Sequence, residues 1–255
     1  MHEFFSKLLG LPVLASENGK DVDNLIIYIH LLMIALFAGW FLYFVYAVWR
    51  FRASRQRTAD YAGVRNHASS YIEGIVALIE GVLLVFVAVP VWAKAVDKTP
   101  KESESTVIQV VAQQFDWNFR YPGKDGVFGK QDMHLVTEQN KFGVDPNDPA
   151  GKDDVETQSQ MHVVLNKPVL CYISSKDVIH SFKVIALRLT QDAIPGMRIP
   201  IWFKPTQVGT YQINCAQLCG NGHSSMSRGR LIVESQEEFD KWLASKKPGK
   251  AESFE

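Results

Sequence analysis

LIIYIHLLMIALFAGWFLYFVYAVW, residues Leu25 to Trp49, contains no Asp, Glu, Lys or Arg. At about 1.5 Å per residue a helix of this length reaches roughly 37 Å, enough to cross a hydrocarbon core with some tilt. Downstream, Ile72 to Ala93 is nearly as apolar, broken only by Glu73, Glu80 and Pro90. One such run is compatible with a buried core helix. Two in succession read as a hairpin of membrane spans. The connection between them carries Arg50, Arg52, Arg55, Arg57 and Arg65 against Asp60 alone. Short Arg-rich loops stay on the cytoplasmic side, which places both termini outside.

Upstream of the hairpin, Phe4 to Ala15 is a short apolar stretch interrupted by Lys7. It reads either as a weak signal peptide, with Ala15-Ser16 as a cleavage point, or as an interfacial helix. Downstream, a polar linker with Pro100 precedes a change of pattern. Short β-branched runs follow: Thr106 to Val111, Met161 to Leu165, Val169 to Ser174, Lys183 to Leu187, Arg198 to Phe203, Thr210 to Asn214 and Arg230 to Val233. Turn signals such as Asn166-Lys167-Pro168 and Pro195-Gly196 separate them, which predicts a small antiparallel sandwich or barrel. Pro122 to Gln160 reads as a long excursion. Its acidic part carries Asp145, Asp148, Asp153, Asp154 and Glu156, either a solvated loop or a docking patch for a cationic partner. Ser235-Gln-Glu-Glu238 is a capping box that predicts a helix to about Ser245. The expected organisation is an N-terminal segment (1–22), a transmembrane hairpin (23–97), a linker (98–105), a β domain (106–234) and a C-terminal helix with tail (235–255).

The 27 basic and 27 acidic residues cancel. No global basic excess exists to neutralise phosphates, so nucleic acid is not expected as a partner. Three cysteines are too few for a disulfide scaffold of this size. Two of them lie in Cys215-Ala-Gln-Leu-Cys219-Gly-Asn-Gly-His223-Ser-Ser-Met226. With His180 these give two thiolates, two imidazoles and a thioether. Soft ligands of this kind favour copper, zinc or iron–sulfur over magnesium or calcium. The wide cysteine spacing and the methionine argue against zinc, and no Cys-x-x-Cys-His run is present to attach haem. A mononuclear blue-copper site uses one cysteine, two histidines and a weak axial methionine. A second cysteine on the same loop allows two coppers to be bridged, which suits electron transfer. Cys171, inside an apolar run, reads as a core residue.

Taken together these segments resemble subunit II of a haem–copper cytochrome c oxidase. Asp177-Val-Ile-His-Ser-Phe182, Asp192-Ala-Ile-Pro-Gly196 and the 215–226 loop carry the resemblance. It implies a two-helix transmembrane hairpin followed by an all-β cupredoxin-like Greek-key sandwich. By the same resemblance, His180, Cys215, Cys219, His223 and Met226 ligate the binuclear copper A centre. Gln217 adds its backbone carbonyl. Many relatives have Glu at that position, whose side chain also meets a magnesium ion at the subunit I interface. An amide lacks that charge, which weakens the inference of magnesium here. Trp117 matches the aromatic near the copper centre, and Phe115 falls where many relatives carry the tryptophan that receives the electron. Phe119 and Tyr121 read as core packing. Glu73 resembles an acidic residue near the mouth of a proton channel. Glu80 is an intramembrane carboxyl, read as hydrogen-bonded to a partner helix.

The implied function is to accept electrons from cytochrome c, or a cytochrome domain of a neighbouring complex, outside the cell's inner membrane. They pass to haem in subunit I, where oxygen is reduced with proton translocation. The alternatives are subunit II of a quinol oxidase, which lacks copper, and a membrane-anchored copper-binding electron carrier.

Overall fold

The computed structural model describes residues 2–55, 58, 61 and 66–246. Arg57, Arg65 and Asp60 of the basic connection lie outside the described residues, as does nearly all of the tail. The chain forms two compact units, one of residues 1–11 and 21–94, the other of residues 12–20 and 95–255.

The first unit is helical. A short helix α1 (His2–Leu8) is followed by α2 (Gly19–Arg50), which contains the first apolar run entire. Asp21 lies in its first turn and Arg50 in its last, where each complements the helix dipole. The second apolar run is α3 (Ala68–Leu83), a π-helical turn (Leu84–Ala88) and α4 (Val89–Asp97). Pro90 explains the interruption. Within an α-helix its ring would press on the carbonyl four residues back. The wider π turn directly before it relieves that contact, so the helix continues past Ala93 to Asp97. Both helical stretches are long and apolar enough to cross a membrane. Lys94 and Asp21 form an ion pair at 2.5 Å, joining the start of α2 to the end of α4. Glu73 and Glu80 lie on α3 and are exposed on this chain.

The second unit is built on strands. They are β1 (Thr106–Gln113), β2 (Asp116–Tyr121), β3 (Val155–Gln158), β4 (Gln160–Val164), β5 (Val169–Ser175), β6 (His180–Val184), β7 (Leu189–Ala193), β8 (Ile199–Phe203), β9 (Gly209–Gln212), β10 (Asn214–Cys215) and β11 (Arg230–Glu234). One sheet has the order β3-β2-β1-β5-β8, and two smaller ones run β10-β6-β7 and β4-β11-β9. Two pairings, β1 with β5 and β4 with β11, are parallel, so the sandwich is mixed rather than wholly antiparallel. Alternate residues of these strands fill one core, including Ile108, Val110, Phe119, Val163, Ile173, Phe182, Phe203 and Leu231. Cys171, Phe119 and Tyr121 are buried there, and burial pushes the Cys171 thiol far above its ordinary value.

The structure corrects several expected boundaries. The run expected as a strand from Lys183 to Leu187 divides: β6 starts earlier, at His180, and Ile185–Leu187 is a 3-10 turn. The long excursion is shorter than expected, because Val155–Gln158 is a strand paired with β2. Its carboxylates organise it. Asp148 accepts from Lys130 N–H at 2.7 Å, Asp153 from Lys124 N–H at 2.7 Å and Asp145 from Asn147 N–H at 2.9 Å. Asp154 is buried and paired with the fully buried Arg120.

Residues 12–20 strap onto this unit. Ala15 N–H donates to Ala186 O at 2.7 Å, and Ala15 O accepts from Thr206 N–H at 2.9 Å. Ser16 Oγ donates to Leu187 O at 2.8 Å, and Glu17 pairs with Lys204 at 2.7 Å. The Ala15-Ser16 bond is therefore buried inside the β unit.

At the opposite end of the chain, Ser235 caps α5 (Gln236–Ser245) with both halves of the capping box present. Trp242 of α5 stacks on His162 with ring centroids 3.9 Å apart, and His162 Nδ1 lies 2.9 Å from Glu234 Oε1. Burial, with Glu238 nearby, pushes Glu234 up to about 7. Burial, with Lys246 nearby, brings His162 down to about 4. A carboxyl raised in the folded state stabilises fully below its unfolded pKa and loses that contribution as pH rises through about 7. His162 works oppositely, but only below its unfolded pKa near 6.5. Between about pH 6.5 and 8 the slope belongs to Glu234. The unfolding midpoint should fall over that window in the wild type and fall less in Glu234→Gln. Equal slopes in thermal melts of the two proteins would reject this assignment.

Candidate metal centre

Four pieces of the β unit converge at one end of the sandwich. His180 is the first residue of β6, and Cys215 the last of β10. In the antiparallel pairing of these strands Cys215 stands opposite Phe182. Cross-strand partners share a face, and so do residues two apart on one strand. Cys215 and His180 are thus set on the same side, and Cys215 Sγ lies 4.0 Å from His180 Nδ1. The backbone then loops through Gln217 to Cys219 and enters a 3-10 turn (His223–Arg228). That turn brings His223 Nδ1 to 3.4 Å from Cys219 Sγ. The two sulfurs are 4.0 Å apart. This is about twice a disulfide bond length, and both cysteines are free thiols.

One ligand atom each from His180, Cys215 and Cys219 falls within 4.8 Å of the others, and all three residues are buried. Gln217 turns its carbonyl inward, 3.0 Å from Cys215 Sγ, while the residue itself is exposed. Met226 is buried in the same turn, and its carbonyl accepts from Trp117 Nε1 at 3.2 Å. Burial, then the Cys215 thiol beside it, pushes Cys219 up to about 11. A metal must displace that proton to take the thiolate. The donor set is soft, preformed and shielded, which fits copper.

Trp117 is fully buried and meets Phe182 edge-on at 5.2 Å and His180 at 6.2 Å. Phe115 is half-buried against the ligand loop. A Cβ on Gly222 would come within 2.3 Å of its ring, so only a glycine backbone lies this close. Both aromatics sit at the centre, although only Phe115 has exposed surface.

Two residues at the centre were not singled out by their sequence pattern. Asp177 Oδ1 lies 2.9 Å from His180 Nε2 and accepts from Val178 N–H at 2.7 Å. Asp177 Oδ2 accepts from Gln114 N–H at 2.7 Å. Gln114 Nε2 in turn donates to Cys219 O at 2.7 Å. Burial opposes ionisation of Asp177, but the bonds from Gln114, His180 and Val178 outweigh it and hold the pKa below the usual carboxylate range. The one sequence signal was the carboxylate three residues before a candidate ligand.

The family described as cytochrome C oxidase subunit II, periplasmic domain, matches residues 106–235, the whole of this sandwich. The chain belongs to the cytochrome c oxidase subunit II family. It is 33% identical over 216 residues to the alternative cytochrome c oxidase subunit 2 of Bradyrhizobium diazoefficiens, covering 83% of this chain and 75% of that one. It is 33% identical over 177 residues to the probable cytochrome c oxidase subunit 2 of Rickettsia conorii, covering 69% of this chain and about half, 53%, of the relative. Among solved structures, the periplasmic domain of subunit II of cytochrome oxidase from Bradyrhizobium japonicum matches with 28% identity and a TM-score of 0.42, covering 57% of this chain and 94% of that one. As a subunit II chain the protein is part of an oxidoreductase complex, with two long apolar helices followed by a cupredoxin-like sandwich.

Proposed function

We propose that this chain is the electron-accepting subunit of a respiratory cytochrome c oxidase. The observation that carries the reading is the convergence of His180 Nδ1, both cysteine sulfurs and His223 Nδ1 at one shielded end of the sandwich. His180, Cys215, Cys219, His223, Met226 and the Gln217 carbonyl would hold a binuclear copper A centre. When bound, such a centre accepts and releases one electron at a time with little change in bonding. The protein's part is to keep the donors fixed on rigid strands and to exclude water. Trp117 fills the space beside His180, and Phe115 offers half-exposed aromatic surface over the ligand loop. Cytochrome c, or a cytochrome domain of a neighbouring complex, docks there in this reading. The electron then passes to haem in subunit I, where oxygen is reduced and protons are translocated.

In this reading the two apolar helices anchor the chain in the inner membrane, and the Arg-rich connection supports a periplasmic position for the β unit. Glu73, at the start of the second helix, is then on the cytoplasmic side, as the mouth of a proton channel requires. Unchanged proton uptake in Glu73→Gln would remove that role. Gln217 presents an uncharged, exposed amide, which gives no support to a magnesium ion through this side chain.

The deciding experiment is copper counting on the purified full-length chain with electron spin resonance. Two coppers per chain sharing one unpaired electron are expected. A single blue copper, or none, would sink the reading in favour of a mononuclear carrier or a quinol oxidase subunit.

A further inference from the structure

The Asp177 carboxylate touches no sulfur, yet it is tied to two of the three segments that carry the soft donors. His180 is completely buried, and its two ring nitrogens have different neighbours. Nδ1 faces Cys215 Sγ at 4.0 Å, and Nε2 faces Asp177 Oδ1 at 2.9 Å. An imidazole whose Nε2–H donates to a carboxylate presents a lone pair at Nδ1 and cannot flip without losing that bond. The carboxylate is itself fixed. Its other oxygen accepts from Gln114 N–H, and Val178 N–H reaches Oδ1. Gln114 then carries the bracket across to the ligand loop through its bond to the Cys219 carbonyl. The chain of contacts runs from β6 through the β5–β6 loop and the β1–β2 turn to the cysteine loop, with no metal needed to close it.

We propose that Asp177 is a positioning residue of the metal centre, selecting Nδ1 of His180 as the metal-facing nitrogen and, with Gln114, holding the histidine and the Cys219 loop in mutual register. The inference rests on the copper reading above and deepens it. Outer partners of ligating histidines fix the tautomer and ring orientation and raise ligand basicity, and their loss costs about 10–100-fold in metal affinity or activity.

The test uses full-length chains purified with their oxidase, as wild type, Asp177→Ala and Asp177→Asn. Four quantities are read: copper per chain, the copper hyperfine and visible absorption pattern, the rate of copper loss to a strong chelator, and the KM for cytochrome c with its salt dependence. Asp177→Ala should keep its fold by circular dichroism, shift the hyperfine and absorption pattern, and lose copper about 10–100-fold faster. Asp177→Asn offers one acceptor oxygen in place of two and should fall between. If the alanine variant does not fold, the asparagine variant decides by the same spectra and chelator rate. A wild-type spectrum and chelator half-life in the folded variant would overturn the proposal. So would a change confined to the KM and salt dependence for cytochrome c, which would mark Asp177 as a surface docking charge instead. A wild-type chain lacking two coppers removes the parent reading. A wild type holding them beside an unaffected Asp177→Ala removes this inference alone.

Discussion

Cys219→Ser is expected to leave the oxidase assembled and to abolish its turnover with reduced cytochrome c. Cys219 Sγ lies 4.0 Å from Cys215 Sγ and 3.4 Å from His223 Nδ1, so it joins the two halves of the donor set. A hydroxyl is a hard, weakly acidic donor that does not replace a thiolate for a soft metal. The loss should exceed the roughly 10–100-fold seen when only an outer partner is removed. Copper should fall below two per chain while the haem content of the purified complex stays constant. Turnover close to wild type in the serine variant would show that electrons do not pass through this site.

Asp154→Ala carries the largest expected loss of stability. Arg120 is fully buried, and Asp154 supplies its charge partner. Gln109 Oε1 and Gly129 O accept from the guanidinium at 3.1 Å each, but neither carries charge. Removing the carboxylate leaves a cation in the interior, which costs about 3–5 kcal/mol. It also frees Gly129 N–H, now bonded to Asp154 at 3.0 Å. Replacing both partners by apolar residues of similar volume should restore much of the loss, because the pair repays little beyond its own desolvation. Denaturant unfolding followed by tryptophan fluorescence measures both variants. A single-variant loss below about 1 kcal/mol would show that water reaches the guanidinium.

Arg120 also shows why parts of the fold were hard to read. Asp116–Tyr121 is buried at every position, although polar Asp116, Asn118 and Arg120 alternate there with the aromatic residues. Their partners lie far along the chain. Arg120 meets Asp154, Asn118 meets Lys141, and Asp116 accepts from Ser159 and Gln158. Local pattern cannot anticipate such satisfaction, so this strand was not expected. β7 was hidden for a simpler reason: Thr190 and Asp192 face outward on an edge, and too few apolar residues remain to mark a run. The apolar helices were legible because their length alone carries the signal. Their ends were less so, since helices continue into polar turns where Asp21 and Arg50 suit the dipole.

The donor set was legible for a related reason. Soft side chains are scarce, and five of them at compatible spacing narrow the chemistry before any geometry is known. The bracket of Asp177 and Gln114 uses common residue types, and one half of it is a backbone N–H. Only the fold shows that those atoms meet. Likewise Trp117 was expected near the centre, and its full burial leaves it no solvent-facing surface of its own.

Residues 12–20 have a topological consequence. The chain leaves the β unit after Lys20 and returns to it at Ala95. The helical hairpin is therefore an insertion within one folded body rather than a leash in front of it. An insertion is joined by two peptide links, and closing the second costs entropy that grows only logarithmically with the length enclosed. The hydrogen bonds of Ala15 and Ser16 keep both links in force. Severing that seam would leave the folded β unit joined to the hairpin through the link at Ala95 alone.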